Sequence, residues 1–236
     1  MSSKFQFITE LYNRTLRKVT SGYSEWTGFL RAASRNYKCS FQEQLLIYAQ
    51  RPDATAVLEL DKWNRQFGRW INKGAAGIAV FDDAHGKGRL KYYFDVSDTH
   101  ETQRSRPLPI WKMDKVFEGG VIETLENTFG TLVEKETLPE AILSASHNAV
   151  MNHLPDYLPD LLDCRVGSLL EELDDLSVEV AYRSALEFSI AYMMMSRLDI
   201  QADDYILQAD FSRVYEFNTP DVVNALFVAT SVFSVK

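Results

Sequence analysis

Basic and aromatic residues interleave through the first half of this chain in a way that suits contact with nucleic acid. Between residues 31 and 94 stand Arg31, Arg35, Tyr37, Lys38, Phe41, Tyr48, Arg51, Trp63, Arg65, Phe67, Arg69, Trp70, Lys73, Lys87, Arg89, Lys91, Tyr92 and Tyr93. Unpaired nucleotides need two things from a protein: cations that track phosphates, and flat rings on which bases stack for about 1–3 kcal/mol each. Composition leaves the ring roles open, because Trp63 and Trp70 suit core anchors as well as stacking platforms. Arg69 and Lys73 flank a glycine turn, NKGAAG (72–77), and are expected to be exposed; Gly74 and Gly77 supply backbone freedom that other residues lack.

Other chemistries find little footing. A phosphate-cradling loop needs glycines with a Lys and a Ser/Thr at fixed offsets, and neither NKGAAG (72–77) nor HGKGR (85–89) has them. A catalytic zinc helix carries two histidines four apart with a Glu beside the first. His147 and His153 lie six apart, and Asn148 stands where the Glu would be, so on a helix the two imidazoles diverge. There is no Gly-x-Ser-x-Gly elbow, and neither Cys39 nor Cys164 has a neighbouring His to activate it. No catalysis and no cofactor are expected.

The elements that must hold these residues follow from periodicity. Phe5, Ile8, Leu11, Tyr12 and Leu16 share one helical face, and Trp26, Phe29, Leu30 and Ala33 share another. Ser40-Phe41-Gln42-Glu43 has the form of a capping box, so a third helix should start there, and Arg51-Pro52 should end it. A short strand is predicted near 55–58, a helix bearing Trp63 over 60–67, strand–glycine turn–strand over 69–81, and a hairpin joining 79–81 to 90–96 through Gly86-Lys87-Gly88. HETQRSRPLP (100–109) reads as a linker. Helical periodicity returns beyond residue 119, punctuated by Pro155 and Pro159, with a long amphipathic stretch over 169–198 and a last helix capped by Thr219-Pro220. The fold class expected is α+β: N-terminal helices with a small antiparallel sheet, then a mainly helical C-terminal domain.

Charge divides along the same line. Of 236 residues, 25 are Lys or Arg and 33 Asp or Glu, a net of −8. Residues 1–118 carry 19 against 13, or +6, and residues 119–236 carry 6 against 20, or −14. The expected domains are therefore a basic one over 1–99, a linker over 100–118 and an acidic helical one over 119–236. The acidic half reads either as a solvated face or as a surface for a basic protein partner, with Glu171, Glu172, Asp174 and Asp175 as the contact residues. No apolar run approaches the roughly 20 residues of a bilayer span, and no secretion signal opens the chain, so a cytoplasmic protein without a membrane partner is expected.

The stretch YKCSFQEQLLIYAQRPDATAVLELDKWNRQFGRWINKGAAGIAVF (37–81) resembles the N-terminal single-stranded-DNA-binding domain of ArdC-type antirestriction proteins. The features that carry the resemblance are Gln44-Leu45-Leu46, Trp63, and Ile71-Asn72-Lys73-Gly74-Ala75-Ala76-Gly77. The version heading large helicase or DNA-methylase polypeptides of conjugative elements in Gram-positive gut bacteria is more similar, with counterparts of residues 45–55, 68–80 and 92–99 in that order. The resemblance implies a single-stranded-DNA binder of a mobile element, protecting or handling transferred DNA. The contact set it implies, together with the basic and aromatic pattern, is Arg31, Arg35, Tyr37, Lys38, Gln44, Tyr48, Arg51, Trp63, Arg69, Trp70, Lys73, Gly74, Lys87 and Arg89. In that family the second domain is a zinc metalloprotease. This chain has no His-Glu-x-x-His in 119–236, while EFNTPDVVNALFVATS (216–231) resembles the C-terminal part of the same mobile-element proteins. A degenerate, metal-free relative of the protease domain is therefore expected, in a truncated descendant lacking helicase and methylase parts. A second expectation, of another class, is a protein-binding inhibitor of host restriction or CRISPR defence that works through the acidic half.

Overall fold

The structure, a computed structural model, describes residues 3–82, 88–109 and 112–234, and it is α+β. Among the described residues no helix is long and apolar enough to cross a membrane. The chain divides into two units: residues 1–15 with 35–111, and residues 16–34 with 112–236. By sequence the first unit holds 14 Lys+Arg against 10 Asp+Glu, a net of +4, and the second 11 against 23, a net of −12.

In the first unit, helix α1 (Ser3–Val19) contributes its N-terminal part and α3 (Phe41–Gln50) lies whole. The capping box forms as the sequence predicts: Glu43 N–H donates to Ser40 Oγ, and the Glu43 carboxylate accepts from Ser40 N–H at 2.8 Å. Then come β1 (Val57–Glu59), α4 (Leu60–Phe67), β2 (Trp70–Ile71), β3 (Ile78–Phe81), β4 (Leu90–Asp95) and β5 (Thr99–His100). Strands β1, β4 and β3 form one antiparallel sheet in that order, and β2 pairs only with β5. The stretch 69–81 thus contains its two expected strands, but they enter different sheets. The core joins Ile8 and Leu11 of α1, Leu46 and Ile47 of α3, Ile78, Ala79 and Val80 of β3, and Tyr93 of β4. Strand alternation aims Ile78, Val80 and Tyr93 to one side of the sheet; on the other, Phe81 receives the rings of Phe5 and Tyr12, at 5.6 and 5.7 Å.

The edge strand β3 is closed by a side chain. Gln50 Nε2 donates to Ala79 O at 2.8 Å while Gln50 Oε1 accepts from Ala79 N–H at 3.0 Å. The carboxamide therefore pairs with the strand as a peptide group would.

The second unit contains α2 (Tyr23–Arg35, less Arg35), α5 (Glu118–Phe129), α6 (Leu138–Cys164), α7 (Asp175–Arg197) and α8 (Pro220–Ser234), with short 3₁₀ turns between α7 and α8. Residues 16–34 were expected in the basic domain, and they pack instead with the C-terminal helices. The apolar stripe of α2 decides this: Trp26 is wholly buried and donates its indole N–H to Ser189 Oγ at 2.9 Å, and Phe29 meets Phe227 at 5.0 Å. Helix α6 runs through Pro155 and Pro159, which the sequence marked as breaks. Met151, Pro155 and Pro159 all lie exposed on one face, so the carbonyls deprived of N–H partners face water.

Candidate nucleic-acid interface

The residues that can receive a base or a phosphate gather on the β2–β5 ladder and the turn that follows it. Arg69 anchors this piece from within: the residue is 8% exposed, and its guanidinium donates to Thr99 Oγ1 at 2.7 Å and pairs with Glu101 at 2.7 Å. The next side chain along the strand points outward, and Trp70 is 57% exposed. His100 lies opposite Trp70 across the ladder, and its Nδ1 is held 2.8 Å from Asn72 Oδ1. Two rings therefore stand side by side on one solvent-facing surface.

The corner beyond Asn72 is built for its cation. Ala75 N–H donates to Asn72 O at 3.1 Å, closing a four-residue turn in which Gly74 has φ +88°. A positive φ at the third residue of a β-turn favours glycine, and it leaves Lys73 at the outer corner, exposed. Gly77 is needed for a different reason: a Cβ there would press on Tyr92 and Phe94 at 3.1 Å.

The linker expected over 100–118 is part of this site over residues 100–106. Thr102 Oγ1 and Ser105 Oγ both donate to Gly68 O, at 2.8 and 3.0 Å, and Arg106 N–H donates to Phe67 O at 2.9 Å. Polar composition and two prolines gave it the look of a spacer, yet its hydroxyls bind it to the end of α4, and Arg104 and Arg106 are left exposed near the ladder. Gly68 has φ +62°, and a Cβ on it would lie 2.4 Å from Arg104 O. Gly68→Ala is expected to cost more than about 2 kcal/mol, from backbone strain together with that clash. Gly74→Ala, with no heavy atom within 4 Å of the added methyl, should cost only about 1 kcal/mol. Thermal unfolding of the two variants checks this, and equal losses would mean that the 102–106 segment does not hold Gly68.

Several predicted contact residues are occupied elsewhere. Trp63 is 1% exposed and donates its indole N–H to Phe94 O at 2.8 Å, so neither face can take a base. Arg69 is the buried anchor just described rather than an exposed companion of Lys73. Arg51 is committed to Asp98 at 2.7 Å and to Ser97 Oγ at 2.8 Å, and Arg35 donates to Ala54 O at 3.0 Å. Gln44 is buried, with its amide N–H on Cys39 O at 2.8 Å. Arg31 belongs to the second unit, where it meets the Tyr192 hydroxyl and, at 2.9 Å, Asp203. Tyr37 and Tyr48 are half-buried, Lys38 lies over the Tyr37 ring at 5.6 Å, Arg89 is exposed, and Lys87 lies outside the described residues. Lys91 is drawn to Glu43 at 2.7 Å. Burial alone would raise the Glu43 pKa; Lys91, the Tyr93 hydroxyl and Ser40 N–H outweigh it and hold the carboxyl below its usual range.

The acidic residues named for a partner also have internal work. Asp174 caps α7 by accepting from Ser177 N–H at 2.9 Å, Glu171 accepts from Gly167 N–H at 2.7 Å, and Asp175 pairs with Arg165 at 2.7 Å. Glu172 is exposed. Sequence reasoning missed His100, Asn72, Arg104 and Arg106; the available signal was the Thr-x-x-Ser spacing at 102–105, which suits hydroxyl-tied turns better than a free linker. No protein-family model, curated protein or solved structure matches this chain.

Proposed function

We propose that the first unit binds single-stranded DNA across the β2–β5 ladder, with a base stacked on Trp70 and phosphates met by Lys73, Arg104 and Arg106. In this reading the protein covers or handles DNA that travels as a single strand during transfer of a mobile element. The observation that carries it is the exposed Trp70 indole, set opposite His100 and beside the Lys73 corner in a unit of net positive charge. An exposed ring of this size costs solvation with no gain in packing, and unpaired bases are the surfaces it complements. Bases stacked inside a duplex cannot reach it. The resemblance of residues 37–81 to single-stranded-DNA-binding domains points the same way.

The test is a titration of the whole chain with labelled oligothymidylate at several salt concentrations. Three neutralised phosphates give a slope of log K against log salt of roughly −2, at about −0.7 each. Lys73→Ala should flatten that slope by about 0.7 and leave the melting temperature in place, since the Lys73 ammonium is exposed. Absence of binding at low salt, or equal affinity for duplex, overturns the reading.

A further inference from the structure

The outer side of the α6–α7 pair carries an exposed apolar strip. Two contacts set the register of the pair: His147 Nδ1 lies 3.2 Å from Glu187 Oε2, and Arg165 meets Asp175 at 2.7 Å. The helices are therefore antiparallel, with the end of α6 beside the first turn of α7. From His147 the same face of α6 returns every four residues, at Met151, Pro155 and Pro159; from Glu187 the same face of α7 returns at Arg183, Val180 and Leu176. Met151, Pro155, Pro159, Val180 and Leu176 are all exposed. Single apolar residues at a surface need no explanation, but five on adjoining faces of two packed helices make a patch.

The polar groups of this strip are mostly acceptors. Proline has no N–H, so Pro155 deprives the Met151 carbonyl of its helical donor and Pro159 deprives the Pro155 carbonyl, and both lie on the exposed face. Beyond Pro159 the same stripe of α6 continues to Asp163, and Glu179 follows Leu176 by three residues on α7. Neither carboxylate has an ion pair among the described residues. Arg183 stands towards the other end, half-buried and also without an ion pair among the described residues. The strip thus runs from an acidic end, past two carbonyls without helical donors, to a cation.

We propose that this strip docks a basic amphipathic helix of another protein, laid along α6 and α7 with its apolar face on Met151, Pro155, Val180 and Leu176. Its Lys or Arg side chains reach Asp163, Glu179 and the two carbonyls, supplying the donors that the strip lacks. Charge sets its direction: the positive end of the incoming helix dipole falls by Asp163 and Glu179, and its C-terminal carbonyls fall by Arg183. The net charge of −12 on the second unit speeds encounter with such a partner. A second copy of this strip would bring acceptors to acceptors and carboxylates to carboxylates, and so fits less well.

The experiment titrates the whole chain with a blocked, labelled peptide made of the heptad Lys-Leu-Ala-Lys-Leu-Ala-Lys written twice, which gathers Leu on one helical face. Two control peptides accompany it: the same residues in an order that spreads Leu around the helix, and the first peptide with Glu for every Lys. Saturable binding of the first peptide is expected, with both controls weaker by about tenfold or more. Leu176→Gln with Val180→Gln should weaken binding by about tenfold and leave the melting temperature in place, since both side chains are exposed. Pro155→Ala with Pro159→Ala restores two helical donors, so it should raise the melting temperature while weakening binding by about threefold. No saturable binding, equal binding of either control, or undiminished binding by either double variant overturns the proposal. A concentration-dependent dimer in sedimentation that Leu176→Gln with Val180→Gln dissolves also overturns it, and assigns the strip to a second copy. DNA affinity is read separately on the first unit's variants, so the two proposals fail independently.

Discussion

Trp70→Ala is expected to weaken single-stranded DNA binding by about tenfold or more, the equivalent of one stacked base at 1–3 kcal/mol, while thermal stability scarcely moves. The ring is 57% exposed, and truncation of a surface side chain away from caps and networks usually stays within about 0.5 kcal/mol. Trp70→Phe should keep most of the affinity, since a smaller ring still stacks. The same truncation seven residues earlier has the opposite signature: Trp63→Ala removes a fully buried indole and its bond to Phe94 O, at a cost of about 3–5 kcal/mol. Fluorescence-anisotropy titration beside thermal melts separates the two. If Trp70→Ala binds as tightly as the parent chain, the β2–β5 face is not where DNA stacks.

Asp95 should prove the most sensitive polar position of the first unit. It is 2% exposed, and its two carboxylate oxygens divide five donors: Oδ2 takes Thr55 N–H at 2.7 Å, Ala56 N–H at 3.0 Å and the Thr55 hydroxyl at 3.4 Å, and Oδ1 takes Ser97 N–H at 3.0 Å and the Ser97 hydroxyl at 2.7 Å. Asp95→Ala leaves these donors without an acceptor and should cost about 3–5 kcal/mol. Asp95→Asn should be almost as harmful, because whichever way the amide is turned, its NH₂ faces N–H or O–H donors on one side. Burial by itself would raise the Asp95 pKa, and the hydrogen bonds it accepts more than reverse it, holding the carboxyl below its ordinary 3.8. A depressed folded pKa gives stability that is complete above the unfolded value and lost as pH falls through the folded one. The parent chain should therefore lose stability steeply below about pH 4, and the Asp95→Asn chain should show a shallower acid limb from a lower plateau. An unchanged acid limb in urea melts at pH 3 and pH 6 would falsify this account.

What the sequence disclosed was mostly local. The capping box at Ser40 and Glu43, the stop at Arg51-Pro52 and the helix start at Pro220 each depend on residues within a turn of one another, and each forms in its place; the cap expected from the Thr219 side chain does not form, its hydroxyl having no partner among the described residues. The candidate site depends on distance in sequence. Arg69 is buried because Thr99 and Glu101 stand across a ladder 30 and 32 residues away, and nothing near Arg69 announces that pairing. Trp63 and Trp70 have similar neighbours in the chain; one falls on the inner side of α4 and the other on the outer face of β2, which composition cannot separate. The prolines in α6 misled because a proline on a solvent-facing side can be absorbed within a long helix: water takes up the orphaned carbonyl and a local bend relieves the ring clash.

The Gln50 pairing with Ala79 bears on how this chain behaves in company. β3 is four residues long, and the N–H and C=O of Ala79, in its middle and pointing away from β4, are both already paired. A neighbouring chain that approached this edge would have to evict an amide held from α3 before it could add a strand. One uncharged side chain thus occupies the pairing groups at the middle of the sheet's open margin, where a second molecule's strand would otherwise find them free.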